Sequence, residues 1–161
     1  MIDLHTHTVF SDGELIPAEL ARRAKVAGYR AIAITDHADA SNLDLIVPHL
    51  LAVAREYSIF MDMHIVAGVE LTHVPPGLIA REAERARSLG ADIVLVHGET
   101  IVEPVERGTN LAAMEAGVDV LAHPGLITDQ DAMLAAEKNV ALEITTRAGH
   151  SYTNNHVLAM A

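Results

Sequence analysis

The segment Ile2–Gly13, reading IDLHTHTVFSDG, sets two histidines one residue apart, His5 and His7, after a short apolar run, and places Asp12 just before Gly13. In an extended strand residues i and i+2 face the same side, so a His-x-His pair at a strand end aims both imidazoles at one point. Two convergent imidazoles with a carboxylate a few residues on are the opening of a metal site. The pattern repeats down the chain. His37 follows the apolar run Ala31–Thr35 and Asp36, Glu70 follows Ile65–Val69, His97 follows Asp92–Val96, and His123 follows Val118–Ala122. A histidine at one strand end is ordinarily a polar side chain leaving the core. Five consecutive strands that all end in ligand-type residues read as a metal centre. Nitrogen and oxygen donors without sulfur suit zinc, manganese or iron alike. Six or seven such groups exceed the needs of one tetrahedral ion, so two or three divalent ions are expected, with Glu70 able to bridge. Paired ions activate water as hydroxide and stabilise the oxygens of an in-line displacement, which is the chemistry of phosphoester hydrolysis.

The elements that must carry these residues alternate. Helices are expected over Pro17–Gly28, Asn42–Tyr57, Leu78–Leu89, Thr109–Ala116 and Asp129–Lys138, with another starting near Ser151. Pro17 suits a first helical turn and Gly28 a C-terminal cap, whereas Pro48 is expected to disturb or split the second helix. Strands are expected near 2–5, 31–35, 65–69, 92–96, 118–122 and 140–143. Short apolar strands alternating with helices predict an α/β fold with a parallel sheet, closed or open. In both forms function gathers at the C-terminal strand ends.

Composition narrows the classes further. The 161 residues suit a single domain, and half of them are hydrophobic, which is globular. No run approaches the roughly 18 apolar residues of a spanning helix, and no secretory leader pattern opens the chain. With no cysteine, disulfides, thiolate zinc sites and cysteine nucleophiles are excluded, and a cytoplasmic address is expected. The net charge of −11 argues against an extended nucleic-acid surface, while leaving room for a small phosphorylated substrate held through cations.

Taken in order, DLHTHTVFSDG, TDH at 35–37, GVE at 68–70, VHGE at 96–99 and AHPG at 122–125 resemble the PHP (polymerase and histidinol phosphatase) family. Each motif is short, but the ordered set is specific and runs the length of the chain. The resemblance implies a distorted seven-stranded (β/α) TIM-like barrel with a two- or three-metal phosphoesterase site. It assigns His5, His7 and Glu70 to one metal, and Glu70, His97 and His123 to a second. Asp12 and His37 would contribute to a third, and the attacking group would be a metal-bound hydroxide. The family also carries a late Asp-x-His on its last strand, and nothing after His123 supplies it. The expectation is therefore a PHP domain over 1–161 that is incomplete at its C-terminal end, the alternative being a natural short form that has lost the third site. It would lack its last strand, leaving an open sheet edge that favours self-association.

Other residues are weighed beside this set. Arg147 and His150, in TTRAGH after the sixth strand, are candidate substrate-binding groups, since an arginine fork suits phosphate. Glu99 is either an orienting partner for a ligand histidine or a loop residue, and Glu143 is a supporting carboxylate at a strand end. His49, His64 and His73 read as surface or locally satisfied histidines. The function expected is hydrolysis of a small phosphomonoester, histidinol phosphate being one candidate. The alternatives are a non-catalytic metal-binding module and a 3′–5′ exonuclease or nucleotide phosphoesterase. An amidohydrolase, whose site often uses a strand-end lysine, is disfavoured because Lys25 and Lys138 are the only lysines and both fall in expected helices.

Overall fold

The computed structural model describes all of residues 1–161. The chain forms two compact units, Met1–Glu70 with Glu84–Val94, and Leu71–Ala83 with Leu95–Ala161. The first holds β1 (Ile2–Thr6), α1 (Pro17–Val26), β2 (Ala31–Ile34), the two-residue β3 (His37–Ala38), α2 (Leu43–Met61) and nearly all of β4 (His64–Leu71). α3 (Pro76–Leu89) and β5 (Ile93–His97) divide between the units. The second holds α4 (Thr109–Glu115), β6 (Val120–Ala122), α5 (Asp129–Lys138), β7 (Ala141–Leu142), a 3-10 turn at His150–Thr153 and α6 (Asn154–Met160). No helix is long and apolar enough to cross a membrane.

In the first unit β1 pairs with β2 and β2 with β4, all parallel, with β3 beside β4. In the second, β5, β6 and β7 pair in that order, again parallel. Neighbours in the sheet are thus neighbours in the chain, the winding of a (β/α) barrel rather than of a doubly wound sheet, whose order reverses. The expected α/β class is observed, with six parallel strands; a seventh barrel strand is not among them, the remaining strand being the short β3. The strands read as unbroken apolar runs because both faces are covered: Ile32, Ala33 and Ile34 are buried in β2, and Val94, Leu95 and Val96 in β5.

α2 departs from expectation. It runs unbroken from Leu43 to Met61 with Pro48 inside it. The proline lies on the exposed face, so the carbonyl it leaves without a helical donor faces solvent. The opposite face buries Leu43, Ile46, Val47, Leu50 and Ala54 at helical spacing. Fully burying each large apolar side chain stabilises by about 1.5–3 kcal/mol, and several of them outweigh a proline cost of about 3.

Two devices hold the loop between β1 and α1, which carries His7 and Asp12. The Asp36 carboxylate is wholly buried and accepts from Thr8 N at 2.7 Å, Thr8 Oγ1 at 2.7 Å and Ser11 Oγ at 2.6 Å. Gly13 donates to Thr8 O and lies so close to His7 that a Cβ would come 2.4 Å from its carbonyl oxygen. On β4, Gly68 lets the strand carrying Glu70 approach Ile93, whose Cγ2 would lie 2.4 Å from a Cβ.

Asp36→Asn replaces one acceptor oxygen by a donor that faces other donors. It should destabilise the chain by about 2–3 kcal/mol in urea unfolding, the scale of a buried charge-assisted hydrogen bond left unmade. Gly68→Ala should cost about 1–3 kcal/mol by overpacking. In the same assay Gly77→Ala, in α3 with open space around it, should be neutral or stabilise slightly.

Candidate metal centre

The first ligand set belongs to the first unit. β1 ends at Thr6, so His5 and His7 are the alternate residues at its C-terminal end. Glu70 is the penultimate residue of β4, and its side chain is wholly buried. Nε2 of His5 and Nε2 of His7 lie 3.0 Å apart, and each lies 3.2 Å from Glu70 Oε2. His37 Nδ1 approaches the same oxygen at 2.9 Å. Asp12 Oδ1 lies 2.6 Å from His7 Nδ1 and 3.6 Å from His37 Nε2.

These positions fit a cation. Donors bound at about 2.0–2.1 Å around a tetrahedral ion stand about 3.3 Å apart, close to the triangle that His5, His7 and Glu70 form. Asp12 engages His7 Nδ1 at 2.6 Å and leaves Nε2 turned toward His5 and Glu70; a carboxylate fixing the outer ring nitrogen is how ligand imidazoles are oriented. Burial by itself lowers the His7 pKa, but the hydrogen bond and charge of Glu70, with a hydrogen bond from Asp12, outweigh it and leave the pKa above 6.5. The pocket favours positive charge at this point. Two groupings here place three ligand atoms within 4.8 Å of one another: His5, His7 and Glu70, and His7, Asp12 and His37.

The second set belongs to the second unit. His97 ends β5 and His123 follows β6, and both are buried. Their rings are 4.3 Å apart, and His150, also buried, closes the group with its ring 4.4 Å from that of His123. One potential ligand atom from each of the three lies within 4.8 Å of the others. Glu103 reaches in from the loop after β5, its Oε2 3.2 Å from His97 Nε2 and its Oε1 3.1 Å from His150 Nε2. Partial burial raises the Glu103 pKa, but the charges of His97 and His150, then the contact with His73, outweigh that and hold it below the usual value. His123 has a positive φ of 30°, a costly backbone for a non-glycine residue, and its N–H donates to Glu143 Oε2 at 2.9 Å. Asn110 ties the two histidine loops together, its side chain accepting from Glu99 N and donating to Pro124 O.

The groups picked out by type and spacing thus assemble within their units: His5, His7, Asp12, His37 and Glu70 in one, His97 and His123 in the other. Glu143 supports His123 through its backbone. Glu99 takes the loop role, accepting from Gly108 N and Asn110 N at the start of α4. His150 stands among the imidazoles instead of on an open loop, while Arg147 is exposed. His49 and His64 are exposed and outside both sets. His73 is more than a surface histidine: it stacks on His97 at 5.4 Å and meets Glu103 at 3.4 Å. Glu103 and Asp36 are the residues that spacing did not single out. Asp36 had a signal in its place directly before His37, but Glu103 follows no strand and had none.

Comparison with known proteins identifies the family. The PHP domain profile matches residues 3–138. An uncharacterized protein of Methanocaldococcus jannaschii is 53% identical over 161 residues, covering 99% of this chain and 74% of the relative. Ribonuclease P protein component 3 of Methanosarcina barkeri is 30% identical over 151 residues, covering 90% of this chain and 56% of that protein. DNA polymerase/3′-5′ exonuclease PolX of Bacillus subtilis is 28% identical over 162 residues, which is 88% of this chain but 28% of the longer enzyme. With strand-end histidines at the expected positions and the profile running across most of its length, the chain belongs to the PHP domain family.

Proposed function

We propose that the chain is a metal-dependent phosphoesterase acting on a small phosphorylated molecule. The observation that carries this reading is the triangle of His5, His7 and Glu70, in which ring nitrogens and a buried carboxylate converge with spacing that suits a divalent cation. His5, His7 and Glu70 would hold one ion. His97 and His123 would contribute to a second. His7, Asp12 and His37 could hold a third. Divalent ions in such a site supply Lewis acidity toward a phosphoryl group and lower the pKa of water.

The chain's own residues supply position. Asp12 fixes the ring of His7, Asp36 fixes the loop that bears both, and Glu143 fixes the backbone of His123. Rigid support of this kind keeps ligands in place without reorganisation during reaction. Arg147 is exposed on the loop after β7, and its planar guanidinium is of the type that recognises phosphate. The excess of 22 acidic over 11 basic residues favours a compact phosphoester over a long polyanion.

A second reading, a nuclease or nucleotide phosphoesterase, draws on one observation, the names of the Bacillus subtilis and Methanosarcina barkeri relatives. Assaying p-nitrophenyl phosphate beside a single-stranded oligonucleotide separates the two. The first reading expects the monoester to be cleaved and the oligonucleotide spared.

The purified chain should carry about two divalent ions by elemental analysis. Its p-nitrophenyl phosphate hydrolysis should vanish in chelator and return with manganese or zinc. Glu70→Gln should lower kcat by about 100-fold or more while the circular dichroism spectrum stays native, because the buried charge that holds the ligand set is gone. Undiminished turnover in chelator, or a folded chain that takes up no metal, would end this reading.

A further inference from the structure

The second ligand set contains two residues that the family pattern does not supply, Glu103 and His150. We infer that they are metal ligands, so that His97, His123, His150 and Glu103 together form a four-residue site for one divalent transition-metal ion. The inference rests on the metal-dependent reading above and assigns the ligands of its second ion.

Three observations carry it. The first is convergence: His97, His123 and His150 each place a ring nitrogen within 4.8 Å of the others, and all three are buried. The second is the carboxylate. Glu103 sets Oε2 3.2 Å from His97 Nε2 and Oε1 3.1 Å from His150 Nε2, so one side chain reaches two of the three rings. His97 Nδ1 lies 3.2 Å from Gly98 O, which leaves Nε2 as the nitrogen turned toward Glu103, the outer-nitrogen anchoring found at ligand histidines. The third is support. Asn154 accepts from Thr145 N and donates to Thr145 O at 2.7 Å, pinning α6 against the segment that leads to His150. His150 itself opens a 3-10 turn, Ser151 N donating to Arg147 O. A histidine held this firmly among two others is placed as a ligand rather than as a mobile contact for substrate. Three imidazoles and one carboxylate suit zinc, manganese or iron over calcium or magnesium.

His73 lies outside this set of four. It stacks on His97 and touches Glu103 from a half-exposed position, which suits a residue orienting the carboxylate.

The test is cobalt(II) titration of the metal-stripped protein, followed by visible absorption and by metal stoichiometry after desalting. His150→Ala and Glu103→Gln are compared with wild type and with His64→Ala, a histidine removed from an exposed strand start. The expected result is loss of about one equivalent of cobalt, or at least a 10-fold weaker second binding step, in both His150→Ala and Glu103→Gln. The band of the first equivalent should be unchanged, and His64→Ala should match wild type. Glu103→Gln preserves shape, so it reads out the ligand role even where His150→Ala loosens the fold. If both variants bind cobalt as wild type does, with the same spectrum, this inference is overturned and the phosphoesterase reading stands. If the wild type itself binds no metal, that reading fails first.

Discussion

A carboxylate with no exposed surface is expensive to keep ionised, and Glu70 is such a group, set in the apolar run of β4. The surrounding structure answers that cost with imidazoles. His5 and His7 arrive from β1 and His37 from β3, and all three bring a ring nitrogen within 3.2 Å of one oxygen. None of these strands could be moved by one residue without breaking the arrangement, because a one-residue slip turns a strand's side chains to the other face. The register of β1 against β2, and of β2 against β4, is therefore the constraint on which the first unit depends.

Both ligand sets are built on the same plan. In each, a histidine has its outer nitrogen engaged by an oxygen, Asp12 for His7 and the Gly98 carbonyl for His97, while its inner nitrogen faces a carboxylate. In each, backbone is held close by a glycine where a side chain could not fit. A Cβ on Gly13 would strike the His7 carbonyl, and one on Gly98 would come 2.5 Å from Ala122 O. Buried polar side chains then stitch the loops, Asp36 in the first unit and Asn110 in the second. The loops that bear these histidines are consequently tied down, and the geometry of the clusters becomes a property of the fold.

Much of this was legible in the sequence because strand-end position is a local property. Apolar runs such as Ile65–Val69 announce strands, and the polar residue that ends each run must lie at the sheet's rim, so His5, Glu70, His97 and His123 could be read directly. The continuity of α2 through Pro48 is not legible in the sequence, since burial of Leu43, Ile46, Val47 and Leu50 is a tertiary effect that overrides a local breaker. Glu103 could not be read at all. It sits in a loop without periodicity, and only the folded path of residues 98–108 carries it to His97 and His150. For His150 the sequence shows only a polar residue on a glycine-containing loop, because nothing local indicates that it ends among imidazoles.

The central claim is that these two clusters are metal centres, and the most direct measurement is anomalous X-ray scattering from crystals soaked in manganese or zinc. The account predicts strong peaks at coordinating distance from His5, His7 and Glu70, and from His97, His123 and His150. Data collected at the metal edge from well-soaked crystals, with ordered histidines and no peak at either cluster, would contradict it.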